Sequence, residues 1–309
     1  MSDLVIGIPT NGRSGLLGRM LESLAACRLP ENLKQVMVVE NGEQDDSLEV
    51  AMAFQNQLPM AYLHLTTKGK NHALNALTRA HPESFLLFFD DDIHLHPDTL
   101  MVYSEAVRKL GKQVFLGGRC HVEYETPPLP WVVPYLPFSA KGWSKGDLPQ
   151  VLTTAEAMGF NWGAWAPDII ACGMFNTNRG PGVLHSIGDE TEMQEQLLER
   201  NIRGHYLPDA EVWHYVPAER CSAEWAINRA RQMGIARGLS CSRQSIWERV
   251  RLPAVSVYSI FKLGIGSRLL GPLLGVERHF YIKRQKNWYL GVLQGLKLSR
   301  KILSRNVLA

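Results

Sequence analysis

Residues 85–98, FLLFFDDDIHLHPD, place five large apolar residues directly before three carboxylates. The run Phe85–Phe89 has no polar alternation, which is typical of a strand buried on both faces, such as a central parallel strand. We expect Asp90, Asp91 and Asp92 at the carboxyl end of this strand, where open α/β sheets bind ligands. Because crowded carboxylates repel one another, the feature predicts a divalent-metal site. A solvated turn in which Asp92 caps the next helix is the alternative.

Strand-like and helix-like segments alternate through the first 110 residues. The spacing of apolar residues predicts strands at 4–9, 35–40, 61–66 and 85–89, and helices at 16–27, 47–57, 71–80 and 97–110. The last of these helices is expected to carry Pro97 in its first turn. This alternation predicts a parallel sheet covered by helices on both sides.

The second half of the chain is less regular. We expect a loop at 126–150, because this stretch is rich in proline. Long loops of this kind are commonly functional or disordered. The remaining predicted elements are a strand at 114–124, a strand followed by a turn at 169–180, a helix at 191–201, a pair of short strands at 204–217 and a helix at 225–240.

The net charge of +3 hides a strong asymmetry. Residues 251–309 contain 11 Lys or Arg and one acidic residue, Glu277, whereas residues 1–250 contain 22 basic and 29 acidic residues. The segment 246–309 mixes these cations with aromatic and aliphatic residues, as helices at membrane surfaces do. We therefore predict a basic amphipathic helical extension that binds an anionic membrane; a docked extension with solvated cations is the alternative.

The compartment is predicted from the cysteines and the N-terminus. The five cysteines are scattered and lack CxxC spacing, which indicates free thiols in a reducing compartment. The first residues, MSDLVIGIPT, lack a basic region followed by an apolar one, so we expect no signal peptide. These features predict a cytoplasmic protein, peripheral at the inner face of the cell membrane. We expect no nucleic-acid partner, since no known reader motif occurs.

Neither GxGxxG nor GxxxxGK[ST] occurs, so a bound nucleotide would need another way to balance its phosphate charge. The triple aspartate with Mn²⁺ or Mg²⁺ offers one. His94 and His96 lack partners at zinc spacing and are interpreted as loop residues. Asp189 and Glu190 lie at the start of the helix predicted at 191–201, directly before its first residue. A carboxylate at this position serves either as a helix cap or as a general base.

Six motifs in order resemble family 2 glycosyltransferases of the GT-A fold. The resemblance covers residues 4 to about 240, and its motifs are Pro9-Thr10-Asn11-Gly12-Arg13, Val38-Val39-Glu40-Asn41-Gly42, Lys70-Asn71-His72-Ala73-Leu74-Asn75, Asp90-Asp91-Asp92, Gly188-Asp189-Glu190-Thr191-Glu192 and Pro208-Asp209-Ala210-Glu211-Val212-Trp213-His214. It implies a Rossmann-like, mostly parallel sheet flanked by helices. The implied domain spans 1–245, with a donor half at about 1–120 and an acceptor half at about 121–245, followed by the extension at 246–309.

The resemblance also implies roles for individual residues. Those expected at the nucleotide are Pro9, Thr10, Arg13, Glu40, Lys70, Asn75, Asp90 and Asp91. Glu40 would read the uracil edge. Asp90 and Asp92 would be the two aspartates of the DxD motif at the metal, with Asp92 as the direct ligand and Asp90 nearer the ribose, and His214 would lie near the metal or diphosphate. A core or capping role for His214 is the alternative.

The motif of the catalytic base departs from the family. The usual Glu-Asp pair appears here as Asp189-Glu190, so an alignment without a gap selects Glu190 and a shift of one residue selects Asp189. The QxxRW signature is absent, and Arg229 and Arg231 are candidates for its charge on the diphosphate, or solvated residues of a basic helix. Trp143, Trp162 and Trp165 are candidates for an acceptor platform, although large aromatic residues more often belong to the core.

Together these observations predict metal-dependent, inverting transfer of a sugar from a nucleotide-diphosphate donor, a UDP-sugar, to a hydroxyl of a saccharide or lipid-linked acceptor in bacterial cell-surface polysaccharide synthesis. The alternatives are a non-catalytic nucleotide-sugar-binding protein, a nucleotidyltransferase on a similar sheet and a metal-dependent phosphohydrolase. The exchanged order of Asp189 and Glu190 is the reason to retain the non-catalytic binding protein as an alternative. The second would need a basic glycine-rich loop, and the third would need further His and Asp ligands.

Overall fold

The structure, a computed structural model, describes residues 3–178, 189–241, 246–270 and 275–306. The chain divides into two compact units. Unit 1 comprises Met1–Glu123 and Phe138–Tyr215, and unit 2 comprises Tyr124–Pro137 and Val216–Ala309. The predicted division of residues 1–245 into donor and acceptor halves stays a prediction.

The elements follow one another in an α/β order. The strands are β1 Leu4–Thr10, β2 Leu33–Asn41, β3 Met60–Leu65, β4 Phe85–Phe89, β5 Ile93–Leu95, β6 Val114–Tyr124, β7 Gln150–Leu152, β8 Asn161–Trp165 and β9 Arg203–Val216. The helices are α1 Ser14–Ala25, α2 Ser47–Met52, α3 Lys70–Ala80, α4 Thr99–Leu110, α5 Ala166–Ala171, α6 Asp189–Glu199, α7 Ala223–Ser240, α8 Ile246–Leu270 and α9 Val276–Asn306.

One mixed sheet forms the centre of unit 1. In the described residues its order is β3-β2-β1-β4-β8-β6-β9-β5, and β7 pairs with β9. β3, β2, β1 and β4 run parallel, whereas β8 is antiparallel to both β4 and β6. Every residue of β1 and β4 is buried, as expected for strands with helices on both sides. The predicted α/β sheet flanked by helices is confirmed, and so is the C-terminal helical extension.

Several predicted elements differ in the structure. The prediction of a strand at 169–180 was wrong, because the strand is β8 and is followed at once by α5; residues 179 and 180 lie outside the described residues. Pro167 stands in the first turn of α5, where a missing N–H costs nothing. The apolar run Ile169-Ile170-Ala171 belongs to that helix, since short apolar runs do not distinguish helix from strand.

The predicted strand pair at 204–217 is a single long strand, β9. Pro208 lies between the stretch that pairs with β7, Gly204–Tyr206, and the stretch that pairs with β5, Val212–His214, so it interrupts neither ladder.

Among the helix boundaries that differ from the prediction, those of α2 and α4 have a local cause. Helix α2 ends at Met52, because the following turns are closed by bonds to the third residue back, such as Gln55 N–H to Met52 C=O at 3.2 Å. Helix α4 begins at Thr99 instead of Pro97, since Asp98 occupies the N-cap position. β5, between the aspartates and α4, was not predicted.

Unit 2 is built around two helices in unusually close contact. Gly234 and Gly238 of α7 face Gly291 and Gly295 of α9. A Cβ at Gly234 would lie 2.1 Å from the carbonyl oxygen of Trp288, and one at Gly238 would lie 2.3 Å from that of Val292. Only glycine permits this approach of the two backbones. The paired positions increase together along both helices, so α7 and α9 run parallel, joined through α8.

No helix in the described ranges combines the length and apolar character needed to cross a membrane.

Candidate active site

Polar side chains gather at the carboxyl ends of the parallel strands of unit 1. Thr10 ends β1, Glu40 lies near the end of β2, and Asp90 follows β4. Pairing of β1 with both β2 and β4 brings these ends to one edge of the sheet. This edge is where open α/β sheets bind their ligands, as the sequence predicts.

Arg13 and Thr10 hold two of the three aspartates. The Arg13 guanidinium donates to Asp92 Oδ2 at 2.8 Å and pairs with Asp91 Oδ1 at 2.5 Å. Thr10 Oγ1 donates to Asp91 Oδ2 at 2.7 Å. Burial raises the pKa of Asp91 to about 7 despite the neighbouring Arg13. Burial opposes the charge of Arg13, but the aspartates raise the pKa of its guanidinium. Asp91 is therefore a buried anchor for the loop, and Asp92 is the carboxylate beside it.

His214 lies next to Asp92 because of strand pairing. β5 follows the aspartates directly and pairs with β9, with Ile93 opposite His214, and Tyr215 N–H donates to Asp92 C=O at 2.8 Å. His214 Nε2 lies 3.5 Å from Asp92 Oδ1, and its ring stacks on Phe160 at 4.5 Å between centroids. The two groups are nearly buried, so the surrounding residues hold them side by side.

The residues present fit a hard divalent cation with few protein ligands. Asp92 and His214 offer an oxygen and a nitrogen donor side by side. In the part of the chain that the structure describes, no cluster of three or more His, Cys, Asp or Glu side chains is arranged to hold a metal ion. A two-ligand site is typical of Mg²⁺ or Mn²⁺ whose remaining positions are filled by water and phosphate oxygens.

Lys70 connects the aspartate loop to the predicted base. Lys70 Nζ pairs with Asp90 Oδ1 at 2.5 Å and donates to Gly159 C=O at 3.3 Å. Glu190, in the first turn of α6, packs against Gly159, where an added Cβ would lie 3.0 Å from Glu190 Cδ. Gly159 thus contacts both Lys70 and Glu190, and it links the aspartate loop to α6. The side chain of Asp189 lies outside the described residues.

Glu40 is bonded on both carboxylate oxygens. Oε2 accepts from the Tyr62 hydroxyl, and Oε1 accepts from Asp45 N–H at 2.9 Å. Burial and the bond to Glu40 raise the pKa of Tyr62 to about 12, so its hydroxyl stays a donor. In this arrangement Glu40 fixes the loop after β2. Its predicted contact with uracil stays a prediction.

Asn75 and Pro9 have structural positions here. The Asn75 amide accepts from Phe175 N–H at 2.9 Å and donates to Phe175 C=O at 2.8 Å, which clamps the segment after α5 onto α3. Pro9 is a buried residue of β1. Neither side chain presents a polar group to the sheet edge in this arrangement.

The three tryptophans proposed as an acceptor platform lie in the core, which is the alternative that the sequence left open. Trp162 is fully buried against Phe88, Trp165 donates from Nε1 to Gly111 C=O at 2.9 Å, and Trp143 packs its edge on Tyr206. Their exposed fractions are 0%, 3% and 5%. We do not assign the acceptor to them.

Arg229 and Arg231 belong to α7 in unit 2. Arg231 donates to Gln294 of α9 at 3.3 Å, so this side chain contributes to the contact between two helices. The predicted diphosphate role of these arginines stays a prediction.

A family model described as glycosyl transferase family 2 matches residues 5–164. The chain belongs to glycosyl transferase family 2. It is a glycosyltransferase, as the sequence predicts. No curated protein sequence matches it.

Solved structures with similar folds are glycosyltransferases of low identity. The mannosyltransferase PcManGT from Pyrobaculum calidifontis, in complex with GDP-Man and Mn²⁺, is 17% identical, with a TM-score of 0.59, over 96% of this chain and 89% of that one. S. aureus TarS residues 1–349 in complex with UDP is 14% identical, with a TM-score of 0.55, over 94% and 90%. GalNAc-T7 with UDP, GalNAc and Mn²⁺ is 10% identical, with a TM-score of 0.55, over 79% and 50%. The predicted GT-A fold is confirmed.

Sequence reasoning missed residues that organise the site of this glycosyltransferase. Asn41 joins three loops, since its amide donates to Thr10 C=O at 2.9 Å and accepts from Gly69 N–H at 2.9 Å. Gly159 and Phe160 support Glu190 and His214. Asn41 had a signal in the Asn-Gly turn after β2, whereas Gly159-Phe160 has no recognisable motif and required tertiary contacts.

Proposed function

We propose that this glycosyltransferase moves a sugar from a UDP-sugar to a hydroxyl of a saccharide or lipid-linked acceptor in bacterial cell-surface polysaccharide synthesis. The observation that carries the proposal is the cluster at one sheet edge: Arg13, Asp92 and His214, with Lys70 in contact with Asp90 and Gly159, the glycine against which Glu190 packs. Donor, metal and base functions would thus meet where the strands end. UDP in two of the similar structures and Mn²⁺ in two of them support the choice of donor and ion.

Asp92 and His214 would hold a divalent ion, Mn²⁺ or Mg²⁺. When bound, such an ion supplies positive charge to the diphosphate of the donor. Asp90, paired with Lys70, would lie nearer the ribose, and Lys70 would keep that carboxylate from repelling the phosphates. Arg13 is placed to exchange its aspartate partners for a phosphate, because a guanidinium binds both groups through paired hydrogen bonds.

Glu190 would act as the general base. It accepts the proton of the acceptor hydroxyl while that oxygen forms a bond to the anomeric carbon. The bond between that carbon and the diphosphate breaks, and its electron pair leaves with UDP. Direct displacement of this kind inverts the anomeric configuration. Asp189 is the second candidate for the same role.

The basic segment 246–309 would hold the enzyme at an anionic membrane, where lipid-linked saccharides are displayed. The chain would then act as a peripheral enzyme at the inner face of the cell membrane.

The test is calorimetric titration of the purified chain with UDP, with and without Mn²⁺, on the wild type and on Asp92→Ala. We expect metal-dependent binding that Asp92→Ala abolishes and Asp147→Ala, at an exposed carboxylate, retains. Release of UDP from a panel of UDP-sugars in the presence of acceptors then measures turnover. Binding without turnover would favour a non-catalytic nucleotide-sugar-binding protein. If the chain bound another nucleotide but not UDP, the choice of uracil as the nucleobase of the donor would be overturned.

A further inference from the structure

Helix α8 has two apolar faces, and among the side chains that the structure describes one face is covered and the other is exposed. Leu252 and Ser256 are buried, and Leu252 packs with Cys241 and with Val292 of α9 in a small core. The opposite face carries large apolar side chains at helical spacing. We call these residues the α8 stripe: Trp247, Val250, Val257, Tyr258, Phe261 and Ile265.

The exposed residues of the α8 stripe form one continuous surface, unlike apolar residues scattered singly over a protein surface. Trp247, Tyr258 and Phe261 are 65%, 64% and 67% exposed, and they recur on one side over five turns of the helix. A continuous exposed apolar surface of this kind marks a binding face. Trp and Tyr, such as Trp247 and Tyr258, are enriched at the interface between a bilayer and water, because their rings are apolar and carry one polar group.

Charge selects the partner of the stripe. Arg251 and Lys262 lie three turns apart on one flank of it, both exposed. Helix α8 itself, residues 246–270, contains four Lys or Arg and one acidic residue, Glu248, which pairs with Arg251 at 2.8 Å. A second copy would bring the same cations face to face, which is unfavourable. An anionic lipid surface satisfies both the apolar stripe and the flanking cations, because long basic side chains reach the headgroups while apolar ones insert.

Helix α9 has a different role although it contains more basic residues, eight against four in α8. Its Gly291 and Gly295 lie against the α7 backbone, and Val292 lies in the core that holds Leu252 of α8. Because this side of α9 is occupied by contacts within unit 2, α9 serves as the support of α8.

We propose that α8 lies in the plane of an anionic bilayer with the α8 stripe inserted among the headgroups, and that α9 fixes it to α7. Resting on the function proposed above, the α8 stripe would be the face through which the segment 246–309 binds a membrane. Vesicle binding is measured without sugar transfer, so failure of one proposal is distinguishable from failure of the other.

The test is flotation of the full chain with vesicles of phosphatidylglycerol and phosphatidylcholine, and with vesicles of phosphatidylcholine alone. The variant Tyr258→Ser/Phe261→Ser is compared with a matched control, Leu148→Ser/Val151→Ser, which changes two exposed apolar residues of unit 1. We expect the wild type and the control to float with the anionic vesicles, and the α8 variant to bind at least about tenfold more weakly, because two large apolar side chains leave the lipid.

Three outcomes would overturn the proposal. The wild type could fail to bind anionic vesicles, the α8 variant could bind as well as the wild type, or the wild type could be a dimer that the α8 variant converts to a monomer without any vesicle binding. The last would assign the stripe to contact between copies. Unchanged unfolding temperature and unchanged UDP titration of the α8 variant show that its fold and donor site are intact.

Discussion

Arg13 and His214 lie at different oxygens of Asp92: Arg13 Nη1 donates to Oδ2 at 2.8 Å, whereas His214 Nε2 lies 3.5 Å from Oδ1. Arg13 Nη2 also pairs with Asp91 Oδ1 at 2.5 Å. A guanidinium and a divalent ion compete for the same carboxylate charge. Arg13 is therefore expected to lower the affinity of the site for a free metal ion and to release the aspartates when a diphosphate arrives.

Replacing Arg13 tests this competition. We expect Arg13→Gln to bind Mn²⁺ about fivefold more tightly in the absence of nucleotide, corresponding to about 1 kcal/mol for a partly exposed ion pair. UDP affinity should fall at the same time. Electron paramagnetic resonance of free Mn²⁺ during titration measures the first quantity. Arg19→Gln, which removes another arginine paired with a carboxylate, Glu123, is the control. Unchanged or weaker Mn²⁺ binding by Arg13→Gln would contradict the competition.

Glu190 and Asp189 are separable by kinetics. If Glu190 is the base, Glu190→Gln loses about 10²-fold or more in kcat while the dissociation constant for UDP stays the same, because proton transfer from the acceptor contributes about this much. Asp189→Asn is the matched variant, one residue away and with the same loss of charge. A larger loss of kcat in Asp189→Asn would assign the base to Asp189 instead.

Gly159 is expected to control the position of the base. A Cβ at this position would lie 3.0 Å from both Cγ and Cδ of Glu190, so Gly159→Ala should displace the carboxylate and lower kcat about tenfold or more. Titration with UDP should be little changed. Gly18→Ala, whose Cβ would have ordinary contact with Val50 at 3.5 Å, should have full activity. Equal kcat values in the two variants would show that Glu190 does not depend on this contact.

The close contact of α7 and α9 predicts a large effect on stability. Gly238→Ala would place a Cβ 2.3 Å from Val292 C=O, so the helices must separate, at a cost of about 1–3 kcal/mol. Gly264→Ala is the control in α8, since nothing lies within 4 Å of its added Cβ, and it should be neutral or stabilising by up to about 1 kcal/mol. Urea unfolding of both variants measures the difference. A Gly238→Ala variant as stable as wild type would contradict the packing.

Local sequence patterns correctly predicted those parts of the site whose residues are neighbours in the chain. The apolar run Phe85–Phe89 ends at a sheet edge with the aspartates behind it, because five buried residues leave the next polar groups at the strand end. The short apolar run of α5 and the continuity of β9 were predicted wrongly, since each depends on neighbours distant in sequence.

By itself, the sequence determined the alternation of strands and helices, the aspartates at a strand end and the excess of positive charge in the C-terminal segment, because period and composition are local properties. Tertiary structure decided which residues meet. Strand pairing put His214 beside Asp92, and Lys70 and Gly159 joined Asp90 to Glu190. It also placed three tryptophans in the core and left the α8 stripe exposed while α9 packed on α7. These outcomes depend on contacts between residues far apart in the chain, which no local pattern records.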